Sequence, residues 1–414
     1  MLLALLSAAL AAPPNVLLVV VDALRADRVF GPDAENTTPN LQRFARRSVV
    51  FPHTISSGAW TVPAMASLFT SLDPQVHRTL RYNPQERLPD DSLPGQLSTL
   101  AETFVGGGYQ TSALLKAVVL AKNRGFAQGF STWRVVEGDM ADRQSATQLT
   151  DAALEWITTM RDPERPFFLY LHYMDPHSNY LAPEPWYSEA KGSYTGPVTG
   201  VYNQIHDSYL EKGVIPTRRD LGQIGRYYDA EVRYWDSEFG RLIKDLALMG
   251  VDSNTIVVVT ADHGEALYEH GGFFESGVYQ ENIAVPLLVK VPGVAPAQRS
   301  ELVQLLDVAP TLAELVGLPA PAAWQGRSLG PALRGETWEP RSAYAEYGGI
   351  RTLIAPDGMK LIEGDGAAKL FQIFDDPGEL RDRVGGGWKE LQRLRALLAE
   401  RVAGWVPQRQ ALGL

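Results

Sequence analysis

The sequence predicts an α/β fold, a doubly wound α/β/α sandwich followed by a small C-terminal antiparallel β subdomain. Three observations carry that expectation. Four apolar runs of strand length each end in polar or charged residues, helical patterns lie between them, and from about residue 341 the texture changes to short alternating strands.

The strand runs are NVLLVVVD at 15–22, YQTSALLK at 109–116, PFFLYLHYMD at 166–175 and NTIVVVTADHG at 254–264. Continuous apolar character suits parallel strands covered on both faces. In such open sheets ligands gather outside the carboxyl ends of the strands, so the polar residues ending each run converge on one cleft. Helical periodicity marks 37–48, 63–72 and the long run from Asp220 to Met249. Residues 183–219, rich in Pro, Gly, Tyr and Ser, read as a long surface excursion over the cleft. Beyond 341, SAYAEYGG, RTLIAPDGMKLIEG and KLFQIFDD read as antiparallel strands, with Pro356-Asp357-Gly358 as a turn, and WKELQRLRALLAERVAGW as a closing amphipathic helix. The expected organisation is a signal segment at 1–12, a main domain at 13–340 and the small subdomain at 341–414.

A chain of 414 residues exceeds the size at which one core stops growing, in keeping with a large domain plus an appendage. The net charge of −10 argues against nucleic acid as partner, so an anionic ligand must be held by a local cluster of positive charge. MLLALLSAALAA, with Ala9-Leu10-Ala11 as a cleavage site, reads as a secretory signal, which places the protein outside the cell or in the periplasm. No later run reaches the roughly 20 apolar residues of a transmembrane helix, so no membrane span is expected. The absence of cysteine removes disulfides and any thiol nucleophile.

Asp22 ends the first strand and Asp262-His263 a later one. Two carboxylates and an imidazole at one sheet edge suit one divalent metal ion, Zn, Mn or Ca, with the nitrogen favouring zinc or manganese. Thr61 precedes the helical PAMASLFTSL, so free amide N–H groups and the positive helix end face an incoming anion. A hydroxyl is a poor nucleophile until a cation stabilises its alkoxide.

Several segments resemble the sulfatase family of the alkaline phosphatase superfamily, in order along the chain. TVPAMASLFTS at 61–71 resembles the signature C or S-x-P-x-R followed by A-S-L-L-T-G; VVVDALRAD and VVTADHGEALYEHGG resemble its metal motifs. GYQTSALLK, LHYMDPHSNY, DGMKLIEG and LFQIFDDPGELRDRV are similar to further family segments. The resemblance implies an alkaline-phosphatase/sulfatase-like fold and a single metal bound by Asp22, Asp262 and His263, with the Thr61 hydroxyl completing the set. It implies Lys116 as a contact to the ester anion, His177 as leaving-group acid or anion contact, and Lys360 as a second cationic contact. His172 points to the same strand end as support, and His270 is a candidate for a second metal or a structural residue. His53, His77 and His206 read as structural or surface residues.

The departures from the family are as informative. Sulfatases oxidise the signature Cys or Ser to formylglycine, whereas oxidised threonine gives only a ketone, so Thr61 closes that route. Met65 stands for the signature arginine, Ala23 for a second aspartate, Ala117 and Val118 for a Trp-His pair, and Phe274-Glu275 for a His-Gly pair. The resulting expectation is a metal-dependent hydrolase of small anionic esters, with Thr61 as a metal-activated nucleophile that favours phosphate or phosphonate over sulfate. A sulfatase working without formylglycine and a non-catalytic binding homologue are the alternatives. Tyr and Trp residues between 180 and 210 suit a sugar or lipid headgroup on the ester, and equally the packing of the loop on itself.

Overall fold

The computed structural model describes residues 12–81, 92–137, 143–364 and 366–414, so the signal segment expected at 1–12 lies outside it but for its last residue. The apolar runs become strands because they can be covered on both faces. β1 (Asn15–Val21), β2 (Val49–Val50), β3 (Gln110–Leu115), β4 (Thr132–Val135), β5 (Phe167–Tyr173), β6 (Thr255–Ala261), β7 (Leu287–Lys290) and β8 (Ala297–Gln298) form one eight-stranded sheet, ordered β8-β2-β7-β6-β1-β5-β3-β4. The five strands from β6 to β4 are parallel, and β1, β5 and β6 are buried along nearly their whole length. β7 runs antiparallel to β6, because the chain leaving β6 loops past the carboxyl edge and returns beside it.

Three helices matter most for the site. α1 (Thr61–Thr70) is buried at all ten positions and starts at Thr61 itself, two residues earlier than its sequence pattern suggests. α2 (Arg218–Leu248) opens on a capping box in which the Thr217 hydroxyl accepts from the Asp220 N–H at 3.1 Å and the Asp220 carboxylate accepts from the Thr217 N–H at 3.3 Å. Its buried stripe, including Ile224, Tyr228, Trp235 and Phe239, follows the 3.6-residue period. α3 (Trp388–Leu412) continues through Pro407 beyond the expected end near Trp405, since Gln408 and Arg409 dock the final turns on the Ala323 and Gln75 carbonyls.

Residues 183–219 are a packed lobe and not a bare excursion. Short helices span Trp186–Lys191 and Tyr202–Ile205, Tyr187 stacks on Tyr227 with ring centroids 4.9 Å apart, and Tyr194 donates to Asp220 at 2.5 Å. After the large sheet, β9 (Ala343–Tyr347), β10 (Ile350–Ile354), β11 (Met359–Gly364) and β12 (Ala367–Gln372) form an antiparallel sheet in chain order. This sheet touches the segment before α1, where the Glu346 N–H donates to the Ser57 carbonyl at 3.2 Å. No helix among the described residues is long and apolar enough to cross a membrane.

The far end of α1 is tied down by His77, which is wholly buried. The Thr79 N–H donates to His77 Nδ1 at 3.0 Å, so Nε2 carries the hydrogen and faces Ser67 Oγ of α1 at 3.1 Å. Burial pushes the His77 pKa down to about 3. The unfolded chain, with a histidine pKa of about 6.5, therefore takes up a proton that the fold refuses, and stability is lost as pH falls from 6.5 toward 3. Denaturant titrations at pH 7 and pH 5 should show a loss of about 2 kcal/mol from this group, and His77→Gln should remove that increment. An unchanged pH slope in the variant would rule His77 out as its source.

Candidate active site

Strand register builds the site. Val20 of β1 is level with His172 of β5, and Val21 is level with Ala261 of β6. Asp22 and Asp262 therefore leave the sheet at the same height on neighbouring strands. The two-residue side-chain period puts His172 on the same face, one step below Asp22. Ala23 then adopts a left-handed turn, φ 60°, that aims its N–H at Asp262 Oδ1 at 3.2 Å, and the His263 N–H reaches the same oxygen at 2.9 Å. Gly264 follows where a Cβ would lie 2.1 Å from the Glu281 carbonyl oxygen, so no larger residue lets the chain pass.

Around that edge the groups converge. Thr61 Oγ1 donates to Asp22 Oδ2 at 3.4 Å and lies 3.4 Å from His263 Nε2. His172 Nε2 is 3.1 Å from Asp22 Oδ2 and 3.9 Å from Asp262 Oδ2, while the Tyr170 hydroxyl buttresses its Nδ1. His263 Nε2 lies 3.4 Å from Asp22 Oδ1 and 3.5 Å from Asp262 Oδ2. All of these side chains are buried. Thr61 is the first residue of α1, and Trp60 before it offers no side-chain cap, so the helix presents uncapped N–H groups and its positive end.

The donor set fits a divalent cation. Asp22 Oδ1 and Asp262 Oδ2 are buried without a hydrogen-bond partner among the described residues, a costly arrangement unless a cation lies between them. Burial, then the charge of Asp22, push the Asp262 carboxyl up. Burial works against a charged His263 ring, yet Asp262 and Asp22 outweigh it and hold its pKa up at about 10. Asp22, His172 and Asp262 each offer a ligand atom within 4.8 Å of the others. Of the predicted metal set, Asp22, Thr61, Asp262 and His263 are brought together, and His172 joins them.

His177 lies beside this cluster, its ring 6.5 Å from that of His263. Nδ1 is 2.9 Å from the Ser178 carbonyl and Nε2 is 3.0 Å from Glu275 Oε1, so both nitrogens face acceptors and both carry hydrogen. Burial opposes that charge, but Asp22 and Glu275 raise the His177 pKa well above its ordinary value. Glu275 is held down at about 2, against burial, by its hydrogen bond from His177. Glu265, hydrogen-bonded by the Tyr180 hydroxyl, is pushed up to about 8 by burial and by the charge of Glu275.

Lys116 and His177 share a cavity of about 300 Å³ with Val136, Arg143, Asp175 and Glu231. The Lys116 ammonium contacts the Gln148 side chain and the Glu137 carbonyl. Burial raises the pKa values of Asp175, to about 6, and of Glu231, and the charge of Asp175 raises Glu231 further. Lys360 is placed differently. It is fully buried, pairs with Glu379 at 2.8 Å and donates to the Val278 carbonyl at 2.7 Å, so it is not brought to Thr61. His270 pairs with Glu281 at 2.6 Å and stacks on Tyr279, which makes it a structural contact in this fold. Sequence reasoning gave no role to Glu265 or Glu275; the signal for Glu275 was its place where the family pattern has another residue.

A family model described as Sulfatase matches residues 14–318, and one described as N-sulphoglucosamine sulphohydrolase, C-terminal, matches residues 268–402. Arylsulfatase K of Bos taurus is 25% identical over 448 residues, covering 93% of this chain and 82% of that protein. A sulfatase of Formosa agariphila is 25% identical over 445 residues, covering 95% and 87%. The phosphonate monoester hydrolase SpPMH from Silicibacter pomeroyi has a similar structure, with TM-score 0.77, 21% identity, and 94% and 95% of the two chains covered. A protein solved in complex with its substrate D-glucosamine-2-N,6-O-disulfate is similar at TM-score 0.75 and 21% identity, covering 96% and 99%.

If the two carboxylates await a cation, Asp262→Asn has opposite effects with and without one. In chelator-treated protein it relieves repulsion from Asp22 and should raise the melting temperature, since Oδ1 keeps its two backbone donors. Manganese or zinc at a hundredfold excess over its dissociation constant should stabilise the wild type by about 2.7 kcal/mol and leave the variant unmoved. Scanning calorimetry of both proteins checks this, and an equal response to metal would remove Asp262 from the site.

Proposed function

The chain belongs to the sulfatase family of ester hydrolases, and within it we propose that this member cleaves phosphate or phosphonate esters with Thr61 as nucleophile. The observation that carries the reading is the Thr61 hydroxyl, set between Asp22 and His263 at the uncapped start of α1. A residue that cannot become formylglycine occupies the position from which attack is made in the family's signature. Asp22, Asp262 and His263, with His172 beside them and Thr61 completing the set, would hold a divalent cation. When bound, that ion lowers the cost of charge on the attacking oxygen and on the ester oxygens.

The chain's own residues supply the rest. Asp22 accepts the Thr61 hydrogen bond and orients the attacking lone pair toward the cleft. Thr61 Oγ1 forms the bond to phosphorus as the ester P–O bond breaks; its proton passes to Asp22 along that hydrogen bond and returns to Oγ1 when the phosphothreonine opens. The amides opening α1 and the Lys116 ammonium receive the remaining ester oxygens. His177 gives the leaving oxygen the proton it now shares with Glu275 and recovers one from the water that opens the phosphothreonine. The cavity beside Lys116 and His177 receives the leaving group, for which a sugar or lipid headgroup is the proposed class. The segment at 13–340 serves as the catalytic unit and 341–414 as its small subdomain, in a protein exported by the apolar segment at 1–12.

Rapid quenching of metal-loaded enzyme with an aryl phosphonate or phosphodiester should trap a single phosphoryl-type mass adduct, mapped by peptide mass spectrometry to Thr61. Thr61→Ala should show no adduct and lose activity by at least roughly a thousandfold. Preference for an aryl sulfate over the phosphorus esters under the same metal conditions, or an active Ala variant, would overturn the assignment.

A further inference from the structure

Glu275 is the least expected charge in the cleft. Its carboxylate lies 3.0 Å from His177 Nε2, and its side chain is about a quarter exposed, so it occupies the histidine while remaining reachable from solvent. The fold fixes it there. Phe274 takes a left-handed conformation, φ 62°, its carbonyl accepts from Asn282 Nδ2 at 2.8 Å, and its ring packs on Tyr202 with centroids 4.5 Å apart. Three residues beyond Glu275, the Val278 carbonyl is held by buried Lys360. A position braced on both sides, one of them through a strained backbone, is a built feature.

Charge counting gives it a meaning. Asp22 and Asp262 together match a dication. The His177 charge is matched by Glu275. That leaves the amides opening α1, equivalent to about half an elementary charge, Lys116, already shared with Gln148 and the Glu137 carbonyl, and Arg143, which shares its cavity with the Asp175 and Glu231 carboxyls. With the His177 charge taken up by Glu275, such a cleft neutralises about one negative charge on the ester and has little positive charge left for a second.

We infer that Glu275 is a specificity-determining residue that restricts the site to monoanionic esters, such as phosphonate monoesters and phosphodiesters, and disfavours dianionic phosphate monoesters. The inference rests on the cleft being the ester-binding site. It draws together two kinds of structural neighbour, a phosphonate monoester hydrolase and a protein bound to a sulfated sugar, since both ester types carry one charge at each reacting centre.

The test compares 4-nitrophenyl phosphate with 4-nitrophenyl methylphosphonate at pH 8, which share a leaving group and differ in charge. In Glu275→Gln the ratio of kcat/KM for phosphate over phosphonate should rise on the order of tenfold, and in Glu275→Asp it should stay within about twofold of wild type. A residue that only orients His177 would scale both esters alike, so an unchanged ratio in Glu275→Gln overturns the inference. Calorimetric binding of sulfate and methanesulfonate to the metal-loaded protein reads the same preference without turnover, and should shift toward the dianion in Glu275→Gln. If neither phosphorus ester is cleaved, the proposed function fails, while the binding ratio still decides the role of Glu275.

Discussion

Two carboxylates held side by side in a dry interior are the constraint on which this molecule is organised. Asp22 and Asp262 are fully buried, each keeps an oxygen without a hydrogen-bond partner among the described residues, and parallel register fixes them at one level of the sheet. Left alone, the pair would drive one carboxyl to hold its proton. The surroundings oppose this: His172 lies 3.1 Å from Asp22 from below, and positive charge comes from His263 in the following residue, from His177 across the cleft and from the start of α1 at Thr61. The site's capacity for a cation and for an anionic ester follows from that one repulsion.

The same constraint explains how a threonine hydroxyl is held at the cleft. Its hydroxyl reaches both Asp22 and His263 because α1 begins at residue 61, and α1 begins there because the chain before it is clamped. A Cβ on Gly58 would lie 2.8 Å from the Pro63 ring, so only glycine lets this approach fold back so tightly. Beyond the helix, Arg401 of α3 makes two bonds of 2.6 and 2.7 Å to the buried Asp73 carboxylate, which Trp405 also reaches at 3.0 Å. Such bidentate pairing in a buried setting locates the end of the helical segment more than it adds net stability.

What the sequence disclosed, and what it concealed, divides along physical lines. The long central strands were legible because burial on both faces writes itself as continuous apolar sequence, and Asp22, Lys116 and Asp262-His263 were legible as their polar ends. The strands at the edge beyond β7 were not, because β2 and β8 are two residues long and rely on neighbours for their geometry. His172 sits inside an apolar run, where only parity with Val20 across an unseen register marks it as facing Asp22. Pairings such as His177 with Glu275 join residues 98 apart and leave no local trace. The helix start at Thr61 was blurred by two residues because Thr61 and Val62 are poor helix formers, and tertiary packing overrides that preference.

Lys360 illustrates how a distant element serves a site without entering it. From β11 of the C-terminal sheet it reaches the Val278 carbonyl, and its partner Glu379 accepts the Gln280 N–H at 2.6 Å. Burial lowers the Lys360 pKa, and the adjacent Glu379 opposes that by favouring its charge. A buried pair of this kind is strongly disfavoured when either partner is lost, so the segment at 278–280 is pinned to the small sheet. Glu275 lies three residues before that segment and accepts the His177 hydrogen bond. The C-terminal subdomain thus acts on the cleft through the placement of a loop, where a lysine read from sequence alone suggests direct contact with the anion.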